Sequence, residues 1–123
     1  MPSTPAGLLE ILSDCWSIET SSQWLPDNPA RGQCNVTALV VHDLCGGDIL
    51  KTEAPGGWHF YNRVEGSRYD LTASQFASLI DYADIESTRA EALAGTTAQR
   101  YAALKLRVRE YESRSQCHEM ISG

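Results

Sequence analysis

The sequence predicts an α+β fold. A helix beginning at Cys34 packs on a small antiparallel sheet, and further helices follow toward the C-terminus. Three observations predict this. The run CNVTALVVHDLCGG, residues 34–47, has a helical spacing of apolar residues and ends in two glycines. Residues 48–71 form three short apolar stretches cut by APGG and EG, the pattern of paired strands. Beyond them, Thr-x-x-Gln/Glu patterns recur at Thr72, Thr88 and Thr96, each able to open a helix.

The elements follow in order. Thr4-Pro5 is a cap followed by proline at the first helical position, and Leu8, Leu9 and Leu12 recur behind it. This predicts a helix over 5–14. The stretch SIETSSQWLPDNPARGQ, residues 17–33, holds two prolines and an Asp-Asn pair. It reads as loop, long enough to suggest a functional role. In the next run Val36, Val40 and Leu44 fall four apart, with Leu39 on the same side. Its β-branched content also suits a strand, but its length and glycine stop favour a helix.

Strands are expected over 48–53, 58–64 and 67–71. A short helix should open at Thr72 and run through Phe76, Leu79 and Ile80. Two more should follow Thr88 and Thr96, the last burying Tyr101, Leu104 and Val108, with residues near His118 forming a loose tail.

The chain has 123 residues with 42% hydrophobic content, which fits one globular domain over 1–123. The net charge of −6 and the pI near 4.9 argue against a nucleic-acid partner, which would want a basic stripe. An acidic surface favours basic or neutral substrates. The opening MPSTPAGLLEIL has no positive segment and a short apolar run. No leader or membrane span is therefore expected, and a cytoplasmic setting follows. Cys15, Cys34, Cys45 and Cys117 are widely spaced and read as free thiols. Neither Cys117-His118 nor His42 and Cys45 has zinc-site spacing, so no metal or cofactor is expected. The oligomeric state is left open.

The chemistry centres on RGQCNVTAL, residues 31–39. A thiol reacts as its thiolate, and a helix N-terminus favours that anion. Cys34 is expected there, behind Gly32, whose backbone freedom permits close approach of a substrate. The bland alternative is a small buried hydrophobe.

A nucleophile needs a base, and His59 in WHFYN is the best placed of three histidines. Its orienting acceptor is Asp70. If Glu65-Gly66 is a two-residue turn, Val64 faces Ser67, Tyr61 faces Asp70, and His59 becomes a diagonal neighbour of Asp70 on one face. A three-residue turn moves Asp70 next to Asn62, which is the fallback orienter. The competing role for Asp70 is capping the helix at Thr72. The oxyanion would be held by the Cys34 N–H with a side chain from the loop: Gln23 or Gln33, with Thr20 and Ser21 as further options. Trp24 and Trp58 are candidates for a substrate groove, with core packing the competing role.

The order GQC opening a helix, then WHFYN, then YDLT, over about residues 32–72, resembles the papain-like and transglutaminase-like thiol enzymes. That resemblance implies a Cys34–His59–Asp70 triad and acyl chemistry on an amide of a peptide, a protein or a small molecule. It also favours Gln23, which precedes the nucleophile as papain's glutamine does. The blocks CWSIETS, NPARGQCNVTALVVHD, GGDIL, WHFYN, YDLTASQF and RYAALKLRV resemble a closer group, the YunG-like family of small bacterial proteins. That likeness implies no particular activity. The expected function is a thiol-dependent hydrolase or acyltransferase. The rival is a non-catalytic binding or interaction module on the same fold.

Overall fold

A computed structural model describes residues 4–122, with side chains through residue 113. The first helix, α1, is Pro5–Cys15; the Thr4 hydroxyl accepts from Gly7 N at 3.2 Å, and Leu8, Leu12 and Cys15 are buried. An irregular stretch follows, tied inward where Trp16 Nε1 donates to Thr37 Oγ1 at 2.9 Å.

Helix α2 is Cys34–Cys45, as the spacing predicts. Its β-branched residues are explained by its place in the middle of the molecule. Val36, Val40 and Val41 pack with Leu8 and Leu12 of α1 and with Leu104 and Val108. Ala38 and Leu39 pack on its other side with Ile49, Phe60 and Ala92. A helix apolar on nearly every side is one buried on nearly every side.

Strands β1 (Asp48–Ala54), β2 (Gly57–Val64), β3 (Ser67–Tyr69) and β4 (Ile85–Glu86) form an antiparallel sheet in the order β3-β2-β1-β4. The turn between β2 and β3 has two residues, Glu65 and Gly66, with φ of 51° and 82°. Val64 therefore pairs with Ser67, and Asn62 with Tyr69. Two positive φ values give a turn whose twist matches that of the strands it joins.

The segment after β3 departs from expectation. The helix expected through Ile80 is a single 3-10 turn, Ala73–Gln75, and β4, which no sequence signal marks, lies beyond it. Thr72 does not cap: its N–H and its hydroxyl both donate to Asp70 Oδ1 at 3.3 Å. Leu79 is fully exposed, so the segment has no buried stripe to hold it helical.

Helix α3, Arg89–Ala94, is capped as expected, Thr88 Oγ1 accepting from Glu91 N at 3.1 Å. Helix α4 is Ala98–Ser122 and is capped by Thr97, whose Oγ1 accepts from Arg100 N at 3.1 Å, rather than by Thr96. It buries Leu104 and Val108 and continues through the stretch expected to be a loose tail. The side chains of Cys117 and His118 lie outside the described residues. Among the described residues, Cys15, Cys34 and Cys45 form no disulfide. Among the described residues no helix is long and apolar enough to cross a membrane.

Candidate active site

Cys34 is the first residue of α2 and is 9% exposed. Its thiol donates to Asn35 Oδ1 at 3.3 Å, and Asn35 Nδ2 is anchored on Ala92 O at 2.8 Å. The chain reaches this position through Gly32, at φ 73°, where a Cβ would collide with Ser21 Oγ and lie 3.0 Å from Gln23 Cβ. Close packing against the loop is what requires glycine there.

His59 comes from β2 and is 2% exposed. Its Nε2 lies 2.7 Å from Asp70 Oδ2, and the Asp70 side chain is itself only 5% exposed. The two-residue turn makes this diagonal pairing possible. Phe76 meets the imidazole edge-on, with ring centroids 4.8 Å apart. Burial alone would depress the imidazole pKa. Hydrogen bonds to Asp70 and Cys34, with their charges, outweigh it and push His59 up to about 9. Because Asp70 occupies Nε2, Nδ1 is the ring nitrogen left for the Cys34 sulfur. His59 thus carries the Asp70 carboxylate on Nε2 and lines one cleft with the Cys34 sulfur.

Four donors converge on Asp70. His59 and Tyr82 OH reach Oδ2, each at 2.7 Å, and the two Thr72 groups reach Oδ1. Gln75 joins this group to the Cys34 loop: its Nε2 donates to Thr72 Oγ1 at 3.1 Å, and its Oε1 accepts from Gly32 N at 3.3 Å.

Cys34 and His59 face a cleft of about 200 Å³, whose lining includes Gln23, Asn35, Trp58, Gln75 and the Pro55-Gly56-Gly57 turn. A larger cavity of about 620 Å³ shares Ala54, Pro55, Gln75 and Phe76 with it and extends along residues 77–81. Trp58 stands at the cleft, 48% exposed, with the Lys51 ammonium 4.4 Å from its ring.

The remaining candidates separate. Gln23 is exposed and lines the cleft. Gln33 does not: it is fully buried, its Oε1 accepting from Thr20 Oγ1 at 2.8 Å and its Nε2 donating to Ser17 O at 3.4 Å. Its amide fastens the loop. Thr20 is committed to that bond, and the Ser21 hydroxyl accepts from Gln23 N at 3.1 Å. Asn62 does not reach His59, because an odd separation along the strand sends it to the other face. It donates to Ala38 O at 3.1 Å and secures β2 to α2. Trp24 packs against the core formed by α1, α2 and α4, away from the cleft, and its buried Nε1 has no hydrogen-bond partner among the described residues.

Sequence reasoning missed Asn35, Gln75 and Tyr82. Asn35 left a trace, as a polar side chain in the apolar start of a helix. Tyr82 left none, because its segment has no periodicity.

Comparison with known proteins agrees with the sequence blocks. A Bacillus subtilis (strain 168) protein described as "Uncharacterized protein YunG" is 45% identical over 95 residues, covering 77% of this chain and 83% of its own length. No solved structure matches the chain. The profile of the family described as YunG protein matches residues 4–113, which include the Cys34 loop, His59, Asp70 and most of the closing helices. The chain belongs to the YunG family.

Proposed function

We propose that the protein is a thiol-dependent enzyme acting on amide carbonyls, with Cys34 as nucleophile, His59 as base and then acid, and Asp70 as the group that orients the imidazole. The observation that carries this reading is the buried Asp70–His59 bond of 2.7 Å, whose imidazole lines one cleft with Cys34. A carboxylate on Nε2 presents Nδ1 to the thiol, the arrangement that activates a nucleophile through an oriented base. Cys34 at the start of a helix, His59 on a strand and Asp70 just past the next strand also follow the order of a papain-like or transglutaminase-like core.

The thiol proton passes first to His59, whose pKa is pushed up to about 9 and which holds it. Cys34 Sγ then forms a bond to the carbonyl carbon as the thiolate, the carbonyl π pair moving to oxygen. The tetrahedral oxyanion is met by the Cys34 N–H and the Gln23 amide. Collapse breaks the C–N bond as His59 returns the proton to the departing amine, leaving a thioester. Water, activated by the same imidazole, releases the acid; an amine arriving instead gives acyl transfer. Peptide, isopeptide and glutamine side-chain amides all fit this sequence of steps.

The test needs no substrate. Carboxamidomethylation by iodoacetamide is followed by peptide mass spectrometry from about pH 5 to 9 in wild type, His59→Ala and Asp70→Asn. Cys45 is the internal reference, because burial and then the Glu112 carboxylate push its thiol up. At about pH 6, Cys34 should react at least roughly tenfold faster than Cys45, and His59→Ala should remove that advantage. Equal, slow rates that ignore His59 would exclude the nucleophile and leave the binding-module reading.

A further inference from the structure

We propose that Tyr82 is a positioning residue that acts on His59 through Asp70, by sharing the carboxylate oxygen that holds the imidazole. The inference rests on the roles just proposed for Cys34, His59 and Asp70, and deepens them.

Asp70 Oδ2 accepts from Tyr82 OH at 2.7 Å and pairs with His59 Nε2 at the same distance. A carboxylate oxygen serving His59 alone would concentrate its charge on the imidazolium and hold the proton tightly. A second strong donor on that oxygen divides the charge and loosens the hold. The looser hold has a use: an imidazole that takes a proton from sulfur must give it up to a leaving group, and a very basic imidazole is a poor acid.

The hydroxyl is aimed from all sides. The Arg68 guanidinium lies 4.6 Å from the Tyr82 ring centroid, and Tyr61 meets the ring edge-on at 4.9 Å. The backbone on both sides is fastened to the sheet. Thr52 Oγ1 donates to Asp81 O at 2.9 Å and accepts from Ala83 N at 3.0 Å. Asp84 N donates to Tyr61 OH at 2.8 Å. Burial, reinforced by Asp70, raises the Tyr82 phenol above its ordinary range, so it stays a donor.

The titratable and charged groups around this pair come from every neighbouring element: Cys34 from α2, Tyr61 from β2, Arg68 from β3 and Asp84 two residues beyond Tyr82. Arg68 is paired with Asp84 and lies over the ring, which leaves the Tyr82 hydroxyl to moderate Asp70.

Tyr82→Phe removes the hydroxyl and keeps the ring. The His59 imidazole is titrated by NMR in the full chain, with and without this substitution, and again in a Cys34→Ala background. The expected result is a midpoint raised by roughly half a unit to one unit in both backgrounds. A midpoint that stays or falls overturns the proposal, since a merely structural tyrosine changes stability and not this titration. If Tyr82→Phe does not fold, Tyr82→Leu tests the same loss. The Cys34→Ala background keeps the two readings apart: an unreactive Cys34 defeats the enzyme proposal without touching the Tyr82 coupling, and an unmoved midpoint does the reverse.

Discussion

At the scale of single residues, His59 links the candidate site to the stability of the chain. Its folded pKa of about 9 lies above the ordinary 6.5. Between those values the folded protein holds a proton that the unfolded chain releases. The stability this contributes is complete below about pH 6.5 and is lost as the pH rises through about 9, a difference on the order of 3 kcal/mol. Urea unfolding should therefore show wild type weakening across that interval. Asp70→Asn, whose imidazole lacks its carboxylate, should weaken by on the order of 2 kcal/mol less. Equal slopes in the two proteins would assign the pH dependence to another group. The same residue shows how buried polar groups are sorted: His59 faces a cleft and is held by the Asp70 carboxylate, whereas Gln33 and Asn62 spend their amides on the interior.

At the scale of elements, the start of α2 is the sensitive joint. The helix presents Cys34 only because Gly32 turns the chain through φ 73° against Ser21 and Gln23. Gly32→Ala adds a methyl to a left-handed position that is already filled. It should cost roughly 2 kcal/mol or more of stability. The iodoacetamide reactivity of Cys34 should fall with it, although no atom of the proposed triad is changed. Thermal unfolding and alkylation measured on one preparation check both. A variant as stable and as reactive as wild type would mean that the loop can move aside. By contrast, Gly56 and Gly57 also have positive φ, but a Cβ there meets open space, so only strain would oppose substitution.

At the scale of the whole molecule, α4 closes the fold, and none of its described side chains lines the cleft. Leu104 is fully buried among α1 and α2 residues. Leu104→Ala should cost about 3 kcal/mol through lost burial and the cavity left behind. At temperatures where the variant remains folded, the reactivity of Cys34 relative to Cys45 should not change. A selective loss of Cys34 reactivity in the folded variant would show that α4 sets the position of α2 within the site. The face of α2 toward the sheet carries the candidate chemistry, and the face toward α1 and α4 carries much of the core.

The α+β class, the start of α2 at Cys34 and the His59–Asp70 pairing were legible in the sequence because each follows from local rules. Helical spacing with a glycine stop defines α2, and strand alternation with a two-residue turn at Glu65-Gly66 defines the register that joins His59 to Asp70. The rest depended on contacts between distant segments. Which glutamine reaches the cleft follows from how the 17–33 loop folds back on Gly32, a packing outcome with no periodic signature. Thr72 has the sequence of a helix cap, but the nearby Asp70 carboxylate takes both its donors, and the expected helix shrinks to one turn. The segment that is thereby left irregular crosses the sheet, supplies β4 and brings Tyr82 to Asp70. Local propensity decides where helices and strands can form; competition for buried hydrogen-bond partners, which only the assembled tertiary structure contains, decided which of these signals prevailed.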